Sequence, residues 1–310
     1  MADKDTRMTV MTLREIPIAS ILRAHAAWLE DRTAGMQADL SGLTLNDTGL
    51  QGAVLRDAIL IGATLLDANL AESDLSGARL ERADLQRANL AHADLSRANL
   101  TGTNFGGAWL TGANFSEIAA VGTGFKQARM SKVRMVEASV NDASFVNAVA
   151  TGAIFHQSRF YDVDFTGSSL DNAVFYHARL QHVKFSGCTG ASISFAGSKI
   201  DHCDFARAVL VGAKLTRSEI LQCTFRNANL RDADLREVRI RGGDFGHAVF
   251  AGAHFRDARM AMADFRGADL AGALELTSDQ LSQAFTDCAT ILPNGAHGPY
   301  LRRSGAERPK

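Results

Sequence analysis

The stretch ADLQRANLAHADLSRANL, residues 83–100, repeats every five residues. Leucine stands at Leu85, Leu90, Leu95 and Leu100, and an alanine precedes each by two, at Ala83, Ala88, Ala93 and Ala98. Five suits neither regular element. On an α-helix each step of five turns the chain about 140° from the last, so the leucines scatter around the axis. In a flat strand an odd step flips every leucine to the opposite face. A chain that bends after every five residues keeps them all inside. Four bends close a square coil of 20 residues, and stacked coils pair at about 4.8 Å, the usual inter-strand spacing.

A square coil demands a second period of 20, and the sequence has it. Phenylalanine recurs at 105, 125, 145, 165, 185, 205, 225, 245 and 265. The opposite side carries Phe115, Phe155, Phe175, Phe195 and Phe255, with Leu or Met elsewhere. Every central position from Leu40 to Leu270 is large and apolar except Ala120, Ala150 and Gly190. The stretches IAAVGTG, NAVATG and CTGAS around those three read as local pinches or bends. The frame predicts about 12 coils and a rod of roughly 55–60 Å.

ADLQRANLAHADLSRANL closely resembles the pentapeptide-repeat proteins with their A(D/N)LXX signature, over about three quarters of the chain. The resemblance implies an all-β solenoid, a right-handed quadrilateral β-helix. It places the small residue at the corner of the square. It also implies that the Asp or Asn before each centre, such as Asp84 and Asn89, hydrogen-bonds turn backbone.

The ends need covers, because a bare coil exposes core and strand edges. The organisation is read as an N-terminal extension at 1–37 with a capping helix at about 19–32, repeats at 38–272, a C-terminal capping helix at 273–288 and a flexible tail at 289–310. In the first helix Ile21, Leu22, His25, Trp28 and Leu29 share one side. At the other end Thr277 and Gln280 fit a capping box, with Leu276 and Leu281 as its staple.

Lys and Arg total 33 against 34 Asp and Glu, so bulk charge favours neither nucleic acid nor an anionic membrane. No apolar run approaches the roughly 20 residues a membrane span needs. The N-terminal stretch lacks the apolar region of a signal peptide. The four cysteines show no CxxC spacing. A cytoplasmic protein is the default expectation.

Chemistry is sparse. No nucleophile–base–acid set and no phosphate loop occurs, so no enzymatic activity, cofactor or metal is expected. Cys203 and Cys223 stack beside His182 and His202, but the cysteines occupy the small inward position and the histidines point outward. Flat sides also leave no concave pocket. At steps of 20 a basic column carries Arg79, Arg159, Arg179, Lys199, Arg239 and Arg259, broken by Glu219. Around the corner an acidic column carries Asp84, Asp164, Asp204, Asp244 and Asp264, broken by Lys184. Mutual neutralisation of the two competes with a polarised docking surface. His156, Tyr161, Tyr176, His177 and His182 cluster at outward positions of the middle coils; with Arg159, Arg179 and Lys199 they form the expected partner contact.

The expected function is a non-enzymatic protein-binding or scaffolding rod with an unidentified partner. The alternative, from the resemblance, is a DNA mimic acting on DNA gyrase or topoisomerase IV, as in quinolone-resistance members. Near-zero net charge and an unbroken frame without loops oppose it, and direct nucleic-acid binding is not expected. Some members of the family dimerise end to end. Here Leu276, Leu281 and Phe285 are the expected contacts of a homodimer through the C-terminal end.

Overall fold

The computed structural model describes residues 18–309, so the first part of the 1–37 extension lies outside the described residues. After helix α1 (Ile18–Glu30) the chain winds as a square coil. Parallel bridges join residues 20 apart, from Asp39↔Ile59 to Val249↔Asp269. One side of the square also forms regular strands: β1 (Ala119–Val121), β2 (Ser139–Asn141), β3 (Arg159–Tyr161), β4 (Arg179–Gln181), β5 (Lys199–Asp201), β6 (Glu219–Leu221), β7 (Arg239–Arg241) and β8 (Arg259–Ala261). They form one parallel sheet in chain order. Helix α2 (Ser278–Ser282) follows.

The square comes from its corners. Leu85 C=O accepts from Ala88 N–H at 3.1 Å, and Leu90 C=O from Ala93 N–H at 3.0 Å. The third residue of each such turn is left-handed, as at Arg87 (φ 57°) and His92 (φ 59°). A positive φ there is what a type II turn requires. For a residue other than glycine this conformation costs roughly 1–2 kcal/mol, and the outward Asp or Asn supports the bend from the other side. Asp84 Oδ1 accepts from Gln86 N–H at 3.2 Å, Asn89 Oδ1 from Ala91 N–H at 3.1 Å and Asp94 Oδ1 from Ser96 N–H at 2.8 Å. These are Asx turns, the role the resemblance implied for Asp84 and Asn89.

From Phe105 onward the interior carries two opposite columns of rings, packed between Leu, Ile and Met of the other sides. The column from Phe105 to Phe265 is stacked throughout: centroids lie 4.5 Å apart for Phe145–Phe165 and Phe205–Phe225, with planes within 15°. Rings of the opposite column meet it edge-on, for example Phe165–Phe175 at 5.9 Å and 88°. Offset stacking along the rod and edge-to-face contact across it are both favourable for aromatic pairs.

By its regular strands the solenoid has about seven turns, fewer than the 12 or so expected from counting pentapeptides; the other coils are joined by isolated bridges. The corner geometry accounts for this. On the strand-bearing side the tight corner bond is present early, as in Ala83 N–H to Leu80 C=O at 2.9 Å and Thr103 N–H to Leu100 C=O at 3.0 Å. No such bond closes the corners from Thr123 to Gly243 among the described residues. There the chain stays extended for three residues instead of one, and a strand results.

Three expectations are corrected. The positions Ala120, Ala150 and Gly190 do not pinch the coil: Ala120 pairs with Val140, Ala150 N–H reaches Ser169 C=O at 2.7 Å, and Gly190 N–H reaches Val209 C=O at 2.8 Å. Ile193 and Leu210 lean into the space a Gly190 side chain would take, their nearest atoms 3.2 Å from its Cβ position. The C-terminal helix is not 273–288 but one short turn, α2, beyond which the chain rejoins the coil. The tail from 289 is folded rather than flexible. Ile291 pairs with Asp269, Leu292 and Ala306 are buried, and Tyr300 Oη lies 2.7 Å from Ser278 Oγ and 3.1 Å from Glu307.

Both end covers are held by specific polar contacts. In α1 the buried His25 accepts from Ala38 N–H through Nδ1 at 3.0 Å, tying the helix to the first coil. Gly35 (φ 73°) lets the chain double back across α1, because a Cβ there would lie 2.2 Å from Ala24 O. In α2 the expected capping box forms, and Gln280 Nε2 donates to Phe255 O at 2.8 Å and Ala258 O at 2.9 Å.

Candidate functional site

Strand alternation sets what the sheet face presents. In β3 the buried Phe160 separates outward Arg159 and Tyr161; in β4 Leu180 separates Arg179 and Gln181; in β5 Ile200 separates Lys199 and Asp201. Parallel register aligns Arg159 with Arg179, Arg179 with Lys199, Lys199 with Glu219, Glu219 with Arg239, and Arg239 with Arg259. The basic column therefore lies on the one side of the rod that forms a continuous sheet.

The aromatic and imidazole residues do not gather into one patch; they border this face along two corners. Before the strands His156 leans on Tyr176 at 5.1 Å, Tyr176 contacts His177 at 4.0 Å, and His177 Nδ1 lies 3.1 Å from Gly197 O. At the far edge of the strands Tyr161, the last residue of β3, meets His182 edge-on at 5.7 Å, and His182 packs on His202 at 5.3 Å. His202 Nδ1 lies 2.7 Å from Asp201 Oδ1. Tyr161 and Tyr176 are 45% and 40% exposed, far more than the wholly buried phenylalanines one residue before each. Sequence reading placed His202 outward without counting it in the partner contact, and it missed Asp201, Leu221 and Arg241. Reading the column after each strand centre at steps of 20 picks out the last three, and the next column pairs His182 with His202.

The two charged columns are not equivalent. The acidic one is occupied at home. Asp164, Asp204 and Asp244 accept turn N–H groups at 2.8–3.0 Å. Asp244 also pairs with Arg226 at 2.9 Å and Asp264 with Arg266 at 2.5 Å. The Arg266 guanidinium holds the Asp264 carboxyl below the usual carboxylate range. On the basic column only Glu219 offers a counter-charge within the run of strands, 3.5 Å from Lys199 and 3.4 Å from Arg239. Arg159, Arg179, Arg241 and Arg259 have no ion pair among the described residues.

The sides are also not flat. One shallow depression of about 320 Å³ is lined by Arg179, Gln181, Lys199, Asp201, Glu219 and Leu221. Another of about 420 Å³ is lined by Glu219, Leu221, Arg239, Arg241, Arg259 and Ala261. Both lie on the sheet face, one on each side of Glu219.

Cys203 and Cys223 sit inside the corners, whereas Cys288 is exposed. Cys203 Sγ lies 3.6 Å from Leu180 O and Cys223 Sγ 3.5 Å from Ile200 O, so each thiol bonds a carbonyl that the open corner leaves without its turn partner. Burial pushes the Cys188 thiol up to about 12 and that of Cys203 higher still. No group of three or more His, Cys, Asp or Glu residues among those described could hold a metal ion.

The residues of the expected dimer contact differ in exposure. Leu276 and Leu281 are buried in their own chain at 6% and 1% exposure, whereas Phe285 is 52% exposed. The last coil has gained a residue, so Phe285 pairs with Asp264 and not with Phe265. A one-residue shift turns a side chain to the other face, which puts Phe285 in the outward column.

A parallel β-solenoid with pentapeptide corners defines the class. Pentapeptide-repeat profiles match in turn: "Pentapeptide repeats (8 copies)" over 38–77 and 78–116, "Pentapeptide repeat region" over 144–215, and "Pentapeptide repeats (9 copies)" over 225–269. The chain belongs to the pentapeptide-repeat family. Similar solved structures include QnrB1, a plasmid-mediated fluoroquinolone resistance protein, in trypsin-treated form (21% identity, 55% of this chain and 89% of that one, TM-score 0.40). HetL of Nostoc sp. strain PCC 7120, involved in heterocyst differentiation regulation, is 22% identical over 91% of this chain and all of its own (TM-score 0.29). A pentapeptide repeat protein of the Arabidopsis thaliana thylakoid lumen is 23% identical over 38% of this chain and 68% of that one (TM-score 0.26). No curated protein matches the chain significantly. Among the described residues no helix is long and apolar enough to cross a membrane.

Proposed function

We propose that this protein is a non-enzymatic binding rod that docks a protein partner on the sheet face of β3–β5. The observation that carries the reading is the basic run Arg159–Arg179–Lys199, whose two arginines have no ion pair among the described residues, bordered by His156, Tyr176 and His177 on one side and Tyr161 and His182 on the other. Exposed tyrosine and arginine are the side chains enriched at protein interfaces. A rigid ladder presents them without loop-ordering cost on binding. The DNA-mimic alternative needs dense outward carboxylates, whereas the carboxylates of the acidic column cap turns and pair with arginines. A photo-crosslinking side chain at Tyr161 tests the reading in cells. The expected result is a discrete protein adduct that Arg179→Glu abolishes, with none from the same group at Asn89 on another side. Equal labelling from both positions would refute it.

A further inference from the structure

We infer that the sheet face of β3–β8 is a receptor for an acidic polypeptide segment carrying two carboxylate clusters about 10 Å apart, an inference that rests on the binding-rod reading above. Like charges in register on adjacent strands are destabilising, yet this face stacks Arg159, Arg179 and Lys199 in one group and Arg239, Arg241 and Arg259 in another. On other sides several arginines are neutralised locally, as in Arg56–Asp74, Arg87–Asp67 and Arg236–Asp234, and a lone one such as Arg134 stands in register with Asn114 and Ile154, not with a second cation. Cations stacked in register without relief from their own chain mark a site whose missing counter-charge comes from outside.

Glu219 displays how the counter-charge fits. Its carboxylate sits between Lys199 and Arg239 and touches both. The two depressions, floored in part by Leu221, offer equivalent seats beside the unpaired Arg179 and Arg259. Lys199 and Arg239 are two strands apart, so the two cationic groups face each other across roughly 10 Å.

The same Glu219 selects the class of partner. Together with Asp201 it places negative charge in the middle of the face. A nucleic-acid strand carries one phosphate on every nucleotide and cannot skip that position. A polypeptide can, by placing carboxylates over the two groups and neutral residues between them. Successive bases would also need an aromatic platform, and on the strands themselves Tyr161 is the only ring facing outward.

The probe is a fluorescent peptide of three glutamates, three neutral residues and three glutamates; the extended spacer covers about 10 Å. Anisotropy at low salt with the full chain is expected to show saturable binding that weakens steeply as salt rises. Arg179→Glu and Arg259→Glu, one in each group, are each expected to lower affinity at least tenfold. Arg207→Glu, on a corner diagonally across the rod, should change it less than twofold, and circular dichroism checks that all variants fold. Oligothymidylate of equal charge is expected to bind more weakly and to gain affinity on Glu219→Gln. The inference falls if the peptide does not bind, if Arg179→Glu and Arg259→Glu bind it like wild type, or if oligothymidylate binds as tightly as the peptide. A Tyr161 adduct that persists while the peptide fails would leave the binding rod standing and remove the acidic partner alone.

Discussion

Phe185 lies between Phe165 and Phe205, with ring centroids 5.2 and 4.7 Å away, and is wholly buried. Truncation there leaves a cavity that rigid coils above and below cannot close. Phe185→Ala is therefore expected to cost about 3–5 kcal/mol, and Arg179→Ala well under 1 kcal/mol. Chemical denaturation of the two variants checks this; equal losses would contradict the assigned register. His25 supplies a pH-dependent contact. Burial lowers its pKa, opposed by the Arg56 backbone and the Asp57 charge. Only the neutral ring can accept from Ala38 N–H. A folded value below the unfolded one, about 6.5, means that the contribution is whole above that pH and is lost as pH falls through the folded value. Trp28 stacks on His25 at 5.5 Å. In a Trp109→Phe background its emission should change on acidification below about pH 6.5, and His25→Gln, which keeps an acceptor, should remove that step. A pH-independent signal in the parent would refute the role of the imidazole.

The C-terminal cover works through one side chain more than through its helix. α2 has five residues, too few to stand alone. Gln280 fastens it, accepting from Thr277 N–H at 2.7 Å while donating to Phe255 and Ala258 carbonyls of the coil below. Gln280→Ala leaves the Ala258 carbonyl without its donor and the Phe255 carbonyl with only the turn bond from Ala258 N–H, at about 1–3 kcal/mol if the Ala258 carbonyl stays buried. Gln280→Glu keeps the acceptor but removes the donor, so it should also destabilise. Thr277→Ala, which loses only the cap, should cost about 1 kcal/mol. Melting curves that rank Thr277→Ala as the most damaging would show that the cap, and not the bridge to the coil, holds this end. At the scale of the sheet, the thiols of Cys203 and Cys223 reach carbonyls beside open corners, a bonding role that their reading as core fillers did not include.

For the molecule as a whole, covered ends bear on assembly. Leu276 and Leu281 are sealed inside the chain, and Ile291, Leu292 and Tyr300 belong to a folded tail that pairs with the last coil. A two-fold contact needs an apolar surface common to both copies, and of the expected residues Phe285 alone remains exposed. Light scattering at tens of micromolar should therefore give the mass of a single 33.2 kDa chain. Truncation after Leu270, which removes α2 and the tail, should lead to self-association through the bared edge. A stable dimer of the intact chain would overturn this view of the end.

The period of five and the ring columns at 20 were legible in the sequence, because each repeat meets the same local demand, one buried side chain and one corner, and the turn role of Asp84 and Asn89 followed from the family resemblance. Periodicity of that kind is a property of neighbours along the chain. The frame treats all four sides alike, however, so it could not single out the side that opens its corners between Thr123 and Gly243 and becomes a sheet. Nor could it reveal that Asp244 and Asp264 are engaged by their own arginines while Arg159, Arg179 and Arg259 are left without counter-charges. Beyond Leu270 the repeat stops, and a single added residue turned Phe285 outward and let the tail close the rod. The coil, its core and the columns its surface carries follow from the repeat. Which side became a sheet, which charges stayed unpaired and how the end was sealed depend on contacts between coils and across corners that no one repeat encodes.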